Sequence, residues 1–585
     1  MPNELLIPNK GSSSIVTTKI RIDGNVVPDT VEVLSIVVVK EANRIPFAKL
    51  EIADGVPAAG DFPASSGNLF VPGKKIEILV GYDANEDLVF KGVIVKHGLK
   101  VRQTGSFMLR LDCRDEAFKT TLGRKCKYFT EVKDSEAIED ILANYSDLQP
   151  DIEVSDVQHK NLVQFESTDW DFIQARAEAN GKLCICDNGK ISVKKPDFSS
   201  QPVLTLLFGA TILEFDAEID ARNQFSAVKS YSWDYTAQEL IETEAVEPAG
   251  FPIAGNIDAA DLAAVGGLDS FSLKHSGQIP QDELQAWADA QLLRTRLAKI
   301  RGQVKFSGFA PIIPGTLVKL QGLGDRFNGT VFVAGVRQDI GGGDWSTSVQ
   351  FGLSEDWLCA QPARQSVPAS SLVPPVHGLQ IGVVTQLKDD PDGEHRILVK
   401  MPVISPADDG VWARVSTLDA GNNRGSFFLP EIGDEVIVGF IHGDPRDPVV
   451  LGMLNSSAKP APILASDDNF EKGFVTKSDI KLLFNDDKKT VLISTPAGKK
   501  ILLDEDKGVI QLEDENGNKI VLDSSGITIE SSGDLILKAA GDLKAEGKKD
   551  TQIKAGASFK AEGSAGAEMS TSAVAVLKGS LVQIN

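Results

Sequence analysis

The sequence predicts a mainly β protein with a few helices, ending in a needle that three chains build together. Three observations predict it. Short apolar runs alternate through the first half, broken by turn dipeptides. Helical periodicity is confined to three stretches. The C-terminal tail repeats at a fixed interval.

The length, 585 residues, predicts several domains, because single cores rarely grow beyond about 250–300 residues. A hydrophobic content of 42% lets most of the chain bury cores. The formal net charge of -22 disfavours general nucleic-acid binding, since phosphate contacts come from Lys and Arg. The five cysteines (Cys113, Cys126, Cys184, Cys186 and Cys359) are odd in number and irregular in spacing, which is no disulfide framework. Cys184 and Cys186 point the same way on a strand, but no further Cys or His pair completes a metal site; they are expected as buried strand residues. The start, MPNELLIPNKGSS, lacks the pattern of a signal peptide, and no apolar run reaches the roughly 18–20 residues needed to span a bilayer.

Strand-like runs cover 17–22, 31–39, 49–52, 75–81, 88–97 and 107–113. Turn signals at Asp23-Gly24-Asn25, Asp54-Gly55, Pro72-Gly73 and Asp83-Ala84-Asn85 separate them, as in a barrel or sandwich. A helix is expected over 135–145, with Ile138, Ile141 and Leu142 on one face. A second follows a cap at Thr168 or Asp169, presents Phe172, Ile173 and Ala177, and ends at Gly181. A hairpin then pairs 183–186 with 190–193 across Asp187-Asn188-Gly189. The strongest helix spans 281–300, with Leu284, Trp287, Ala288, Leu292 and Leu297 as its apolar stripe. Strands resume from Ile300 to Leu353.

Residues 360–376 are rich in Pro, Ser and Ala and read as a linker. The next block carries strand candidates at 380–387, 396–401, 410–415, 425–428, 435–440 and 448–454, which suggests a small Greek-key or OB-type barrel. A hinge is expected over 457–468.

The tail is the most informative part. GKKILLDEDKG (498–508) recurs as GNKIVLDSSG (517–526). The register then shortens to eight. Every eighth residue from Ile529 is apolar: Leu537, Ala545, Ile553, Ala561, Met569 and Leu577. Ile527, Leu535 and Leu543 run as a parallel row two positions earlier, interrupted at Thr551. Gly533 and Gly541 recur at the same interval as corner sites. Period-2 alternation inside each octad puts one side in and one side out. A single octad holds too few inward residues to offset a backbone ordering cost of roughly 1–2 kcal/mol per residue. Stacked repeats share a core. A course of eight closes more naturally as one side of a three-sided prism than as a single-chain coil, which implies a cyclic homotrimer. Composition near 541–575 would also permit disorder. The unbroken register argues against it.

The order of these segments resembles the VgrG family, the spikes of type VI secretion systems and related extracellular contractile injection systems, which look like fused hub and spike proteins of tailed phages. The resemblance is carried by QFESTDWDFIQARAEANGKLCI (164–185), FNGTVFVAGVRQDI (327–340) and GGGDWSTSVQFG (341–352) in the body. It continues in GLQIGVVTQLKDDPDGEHRILVKMP (378–402), VWARV (411–415) and FFLPEIGDEVIVGFIHGDPRDPVVLGML (427–454), and in GKKILLD and GNKIVLDSSGITI of the tail. It implies a phage-hub-like β-barrel body with helical insertions over 1–359, an OB-fold neck over 377–456 and an intertwined trimeric β-helix needle over 469–585.

The resemblance also implies roles. The body would seat on the inner-tube protein among baseplate proteins, adapting sixfold to threefold symmetry. The needle would pierce a target envelope without a transmembrane segment, capped by a PAAR-type tip protein and accompanied by cargo effectors. The trimer core would be Ile527, Ile529, Leu535, Leu537, Leu543, Ile553, Met569 and Leu577. Leu581, Val582, Gln583, Ile584 and Asn585 would receive the tip protein. The chain would be made in the bacterial cytoplasm and delivered outside on contraction.

No enzymatic activity and no cofactor are expected. The six histidines (His97, His159, His275, His377, His395 and His442) all precede the needle, so no tip metal is expected, nor an effector domain after Asn585. Asp444 and Asp447 in GDPRDP flank Arg446 and read as a rigid turn rather than an acid/base pair. DDPDGEH (389–395) resembles a calcium loop but lacks its twelfth-position Glu. GGGD (341–344) lacks the strand-to-helix context of a phosphate loop. Ser12–Ser14, Ser199 and Ser200 show no partnered His and Asp. The competing functions are a β-solenoid polysaccharide-degrading enzyme and a receptor-binding fibre.

Overall fold

The computed structural model describes residues 15–103, 107–251, 254–357 and 368–584. The N-terminal MPNELLIPNKGSS segment, Ser12–Ser14, Cys359, linker residues 360–367 and Asn585 lie outside these. The chain divides into two compact units: Met1–Pro375 with His442–Asp444, and Val376–Ile441 with Pro445–Asn585.

In the first unit, alternating runs become strands where expected: Val16–Ile22, Val33–Glu41, Phe47–Ala53, Lys75–Tyr82, Asn85–Val101 and Phe107–Arg114. They join a 13-stranded sheet. The Val33–Glu41 strand lies antiparallel to Gly329–Gly341, with Val38 opposite Gln338, so segments about 300 residues apart in sequence share one ladder. Ile36, Leu50, Ile78, Phe90 and Leu109 pack one core cluster under the sheet. Phe306, Val318, Val349 and Phe351 pack another. At the hairpin turn, Gly342 (φ 61°) and Gly343 (φ 82°) take the left-handed conformations that a two-residue turn needs. GGGD is therefore a strand-to-strand turn.

The three expected helices are Asp134–Leu142, Asp169–Ala179 and Gln281–Leu297. The second starts because Thr168 Oγ1 accepts from the Asp171 amide at 3.0 Å. It stops at Gly181 (φ 65°). Ile138, Ile141, Phe172 and Ile173 bury against Cys184 and Cys186 of the Leu183–Asp187 strand. Both thiols are buried, and burial pushes the Cys186 pKa well up. No metal-binding cluster of His, Cys, Asp or Glu occurs among the described residues.

In the second unit, Gln380–Gln386, Ile397–Lys400, Val411–Val415, Pro448–Met453 and Glu435–Phe440 close a five-stranded barrel around Val384, Val399, Ala413, Val436 and Val450. The strand expected at 425–428 is not formed. A small hairpin pairs Ala420–Gly421 with Arg424–Gly425, and Phe427 beyond it is exposed. In the DDPDGEH loop, Asp390 accepts from the Arg396 guanidinium at 2.6 Å and from the Glu394 amide at 2.8 Å. The arginine stands where a cation would be sought. In GDPRDP, the Ile441 amide bonds to the Asp447 carbonyl and closes the turn.

Candidate functional site: an apolar face running into an eight-residue shaft

After the barrel the chain folds on itself before it repeats. Seven strands form an antiparallel meander in chain order: Glu471–Val475, Lys481–Asn485, Thr490–Ser494, Lys500–Asp504, Val509–Glu513, Lys519–Asp523 and Gly526–Glu530. The expectation of interchain intertwining throughout the tail did not include this single-chain sheet.

Side chains alternate across the meander. The ladders place Leu482, Ile493, Ile501, Leu512, Ile520 and Ile529 in one cross-strand row. Phe484, Val491, Leu503, Ile510, Leu522 and Ile527 form a second row on the same face. The other face carries Leu483, Leu492, Leu502 and Val521, flanked by ion pairs Lys500–Glu513 (2.6 Å) and Lys519–Glu530 (2.8 Å). The Lys500 hydrogen bond holds the Glu513 carboxyl below its ordinary value, and the Glu530 hydrogen bond raises Lys519. Charge thus decorates one face while the other stays apolar.

That apolar face is uncovered in the single chain. Ile501, Leu503, Ile510, Leu512 and Ile520 are each about two-fifths exposed. Ile493, Ile501, Leu512, Ile520, Ile529 and Leu535 line a groove of about 540 Å³. A contiguous apolar face of this size marks a site of association. Covering each half-exposed Leu or Ile is worth about 1 kcal/mol, taking ~25 cal/mol per Å².

The two rows then continue into the shaft. Residues 531–584 bend at 532–533, 540–541, 548–549, 556–557, 564–565, 572–573 and 580–581, a spacing of eight throughout. Ile529, Leu537, Ile553, Met569 and Leu577 each stand three positions before a bend, at one place in the course. Gly533 and Gly541 occupy the first two corners.

Among the described residues, 531–584 make no backbone ladder within the chain. Ile529 is 51% exposed and Met569 88%. Ile527, Leu535, Leu537, Leu543, Ile553 and Leu577 are exposed, as are Leu581, Val582, Gln583 and Ile584. The structure therefore brings Ile527, Ile529 and Leu535 to the meander face and sets the remaining row residues along the shaft.

Ten meander positions went unread in the sequence: Leu482, Phe484, Val491, Ile493, Ile501, Leu503, Ile510, Leu512, Ile520 and Leu522. A signal existed. Five-residue alternating runs begin at Lys481, Thr490, Lys500, Val509 and Lys519, stepping by nine or ten.

Three family models match successive parts of the chain. The family described as the Alg8 N-terminal domain matches residues 12–342, more than half of the chain. The Type VI secretion system/phage-baseplate injector OB domain matches 380–454. The phage baseplate V C-terminal trimerisation domain matches 490–585. The type VI secretion system spike protein VgrG1b of Pseudomonas aeruginosa is 29% identical over 218 residues, 34% of this chain and 29% of that protein. VgrG1c of the same organism is 34% identical over 127 residues, 20% of this chain and 17% of its own. These matches span about a third or less of the relatives' length. Among solved structures, the prophage MuSo2 43 kDa tail protein from Shewanella oneidensis is 9% identical, covering 58% of this chain and 98% of its own, with a TM-score of 0.45. With its Alg8-type N-terminal domain, injector OB domain and trimerisation domain in that order, the chain belongs to the VgrG family.

Proposed function

We propose that this protein is the structural spike of a contractile injection system. One observation carries the reading: the meander row that ends at Ile529 continues, apolar at every eighth position, along courses that among the described residues 531–584 make no backbone ladder within the chain. Three copies turned about one axis would cover the apolar face of the meander and supply the missing strands. The trimerisation-domain match over 490–585 supports the same closure. The named relatives are spike proteins, which favours this reading over a solenoid enzyme or a receptor-binding fibre.

On this reading, residues 1–359 form the body that seats on an inner tube among baseplate proteins. Residues 360–376 link it to the OB neck at 377–456. A hinge at 457–468 leads to the needle at 469–585. Ile527, Ile529, Leu535, Leu537, Leu543, Ile553, Met569 and Leu577 form the trimer core, extended upward by the ten meander positions. Leu581–Asn585 present a blunt end for a small tip protein. The role is mechanical, with no catalytic step and no cofactor. The protein is made inside the bacterium and leaves with the particle when its sheath contracts.

Sedimentation velocity tests the closure. The expected species is a trimer of 62.7 kDa chains at micromolar concentration. A monomer alone would refute it. Electron cryo-microscopy of intact particles tests the placement: a spike lies on the tube axis, whereas a fibre radiates from the baseplate rim.

A further inference from the structure

The meander carries a charge pattern besides its apolar rows. On its charged face Lys500, Glu513, Lys519 and Glu530 stand directly opposite one another on four successive strands. The signs alternate, and the pairs close at 2.6 Å for Lys500–Glu513 and 2.8 Å for Lys519–Glu530.

The alternation does not stop at the last strand. Every eighth residue after Glu530 continues it: Lys538, Glu546, Lys554 and Glu562. Each stands two positions before a bend and one position after a member of the inward row, so in an extended course it points outward. Among the described residues Lys538, Glu546 and Lys554 form no ion pair within the chain, and Glu562 meets Lys560 two positions away.

Threefold symmetry fixes what lies beside each of these groups. It puts the same course of all three chains at one height, one on each side of the prism. The next course of each chain moves to the next side, one strand spacing of about 4.8 Å higher. On any side, successive courses therefore come from successive chains. Each residue lies beside the one eight positions later in a neighbouring chain. Lys538 then faces Glu546 of one copy, and Glu546 faces Lys554 of another.

We infer, resting on the trimeric closure proposed above, that Lys538, Glu546, Lys554 and Glu562 form an interchain ion-pair ladder that continues the meander's own and fixes the register in which three copies of this chain wind together. The apolar row cannot fix it. Leu537, Ala545, Ile553 and Ala561 are all apolar, so a slip of one whole course leaves the core dry. The charge row repeats only every second course, and the same slip sets Lys beside Lys and Glu beside Glu. One exposed pair is worth little, but symmetry repeats every contact three times in a continuous network. Stacking does not pair charges everywhere: Asp534, Asp542 and Asp550 each follow a bend directly and stack as like charges.

The test compares melting temperature and sedimentation of full-length variants at low ionic strength. Glu546→Lys creates two like contacts in the row and should lower the melting temperature by about 5 °C. The triple variant Glu546→Lys/Lys554→Glu/Glu562→Lys has the same net charge as that single variant, yet leaves only one like contact. It should assemble and lose only about half as much. Asp542→Lys, the same charge change in the like-charged row, should not lower the melting temperature. In about 1 M salt, where screening acts within about 3 Å, the differences should shrink. A trimeric parent with equal losses in Glu546→Lys and Asp542→Lys would overturn the ladder alone. So would a triple variant as unstable as the single one, or one that fails to assemble. A monomeric parent would overturn the spike reading, and the ladder with it.

Discussion

Ile520 and Leu537 belong to the same apolar row, the first on the meander and the second one course beyond Ile529. In the proposed trimer each meets its two copies near the axis. Leu537→Asp would bring three carboxylates together out of water, at a cost on the order of several kcal/mol through unpaired buried charge. The expected outcome is a lower melting temperature and partial dissociation in sedimentation; Ile520→Asp should act in the same direction. Ile536 supplies the internal control. It is 68% exposed, and in an extended course it points opposite to Leu535 and Leu537. Ile536→Asp should therefore change little. Equal effects at 536 and 537 would dispose of the row. The shaft row is legible in the sequence because its interval is constant and its members are uniformly apolar. The meander rows are harder to read, because a strand-plus-turn step that alternates between nine and ten has no single period to find.

At the scale of elements, the three expected helices are fixed by local signals and were readable, whereas the helix at Ala259–Gly266 was not read. Thr168 caps one, Gly181 ends it, and Leu284, Ala288 and Leu292 bury as one stripe. What joins the helices is not local. Burial alone would raise the Asp134 pKa, but hydrogen bonds from His159 (3.0 Å), Arg176 and Asn180 (2.8 Å) outweigh it and hold the carboxyl well below its usual value near 3.8. Asp134→Asn should cost roughly 3 kcal/mol at neutral pH, the low end for breaking a buried pair, since Glu283 still holds Arg176 at 3.2 Å. The folded pKa is depressed, so the stabilisation is complete above the unfolded value and is lost as pH falls towards the folded one. Urea titrations at pH 7 and pH 3 should accordingly show a smaller penalty in acid; a constant penalty would mean that the carboxylate charge is not what stabilises. A second element-level test lies where the Ile300–Ser307 strand ends. A Cβ on Gly308 would sit 1.9 Å from the Trp345 ring, which is buried and tied to Gln338 at 2.8 Å. Gly308→Ala should destabilise the body by about 1–3 kcal/mol through overpacking, read as a lower melting temperature with an intact trimer. The barrel shows the limit of local reading: the apolar run at 425–428 reads as a strand, yet the ladder ends at Gly425 and Phe427 and Phe428 stay exposed.

Across the whole molecule, domain order was legible and long-range pairing was not. Alternation says that Val33–Glu41 is a strand. Nothing in it says that the partner is Gly329–Gly341, because pairing partners are chosen by the collective packing of Ile36, Ile340 and Trp345 in one core. The shaft reverses that situation, since its geometry is carried by one number. Removing 541–548 deletes one full course, leaves Ile553 eight positions after Leu537, and keeps each row residue three positions before a bend. Removing 541–544 deletes half as much chain but puts the distal courses four positions out of step with the meander. If the eight-residue course is the unit shared by three chains, the longer deletion is the milder one. It should yield a shorter trimer melting within a few degrees of the parent, by the usual scaling of about 2–4 °C per kcal/mol. The shorter deletion should lower the melting temperature well beyond that and release monomer in sedimentation. Loss of stability that simply tracked the number of residues removed would show that length, not register, holds the shaft together.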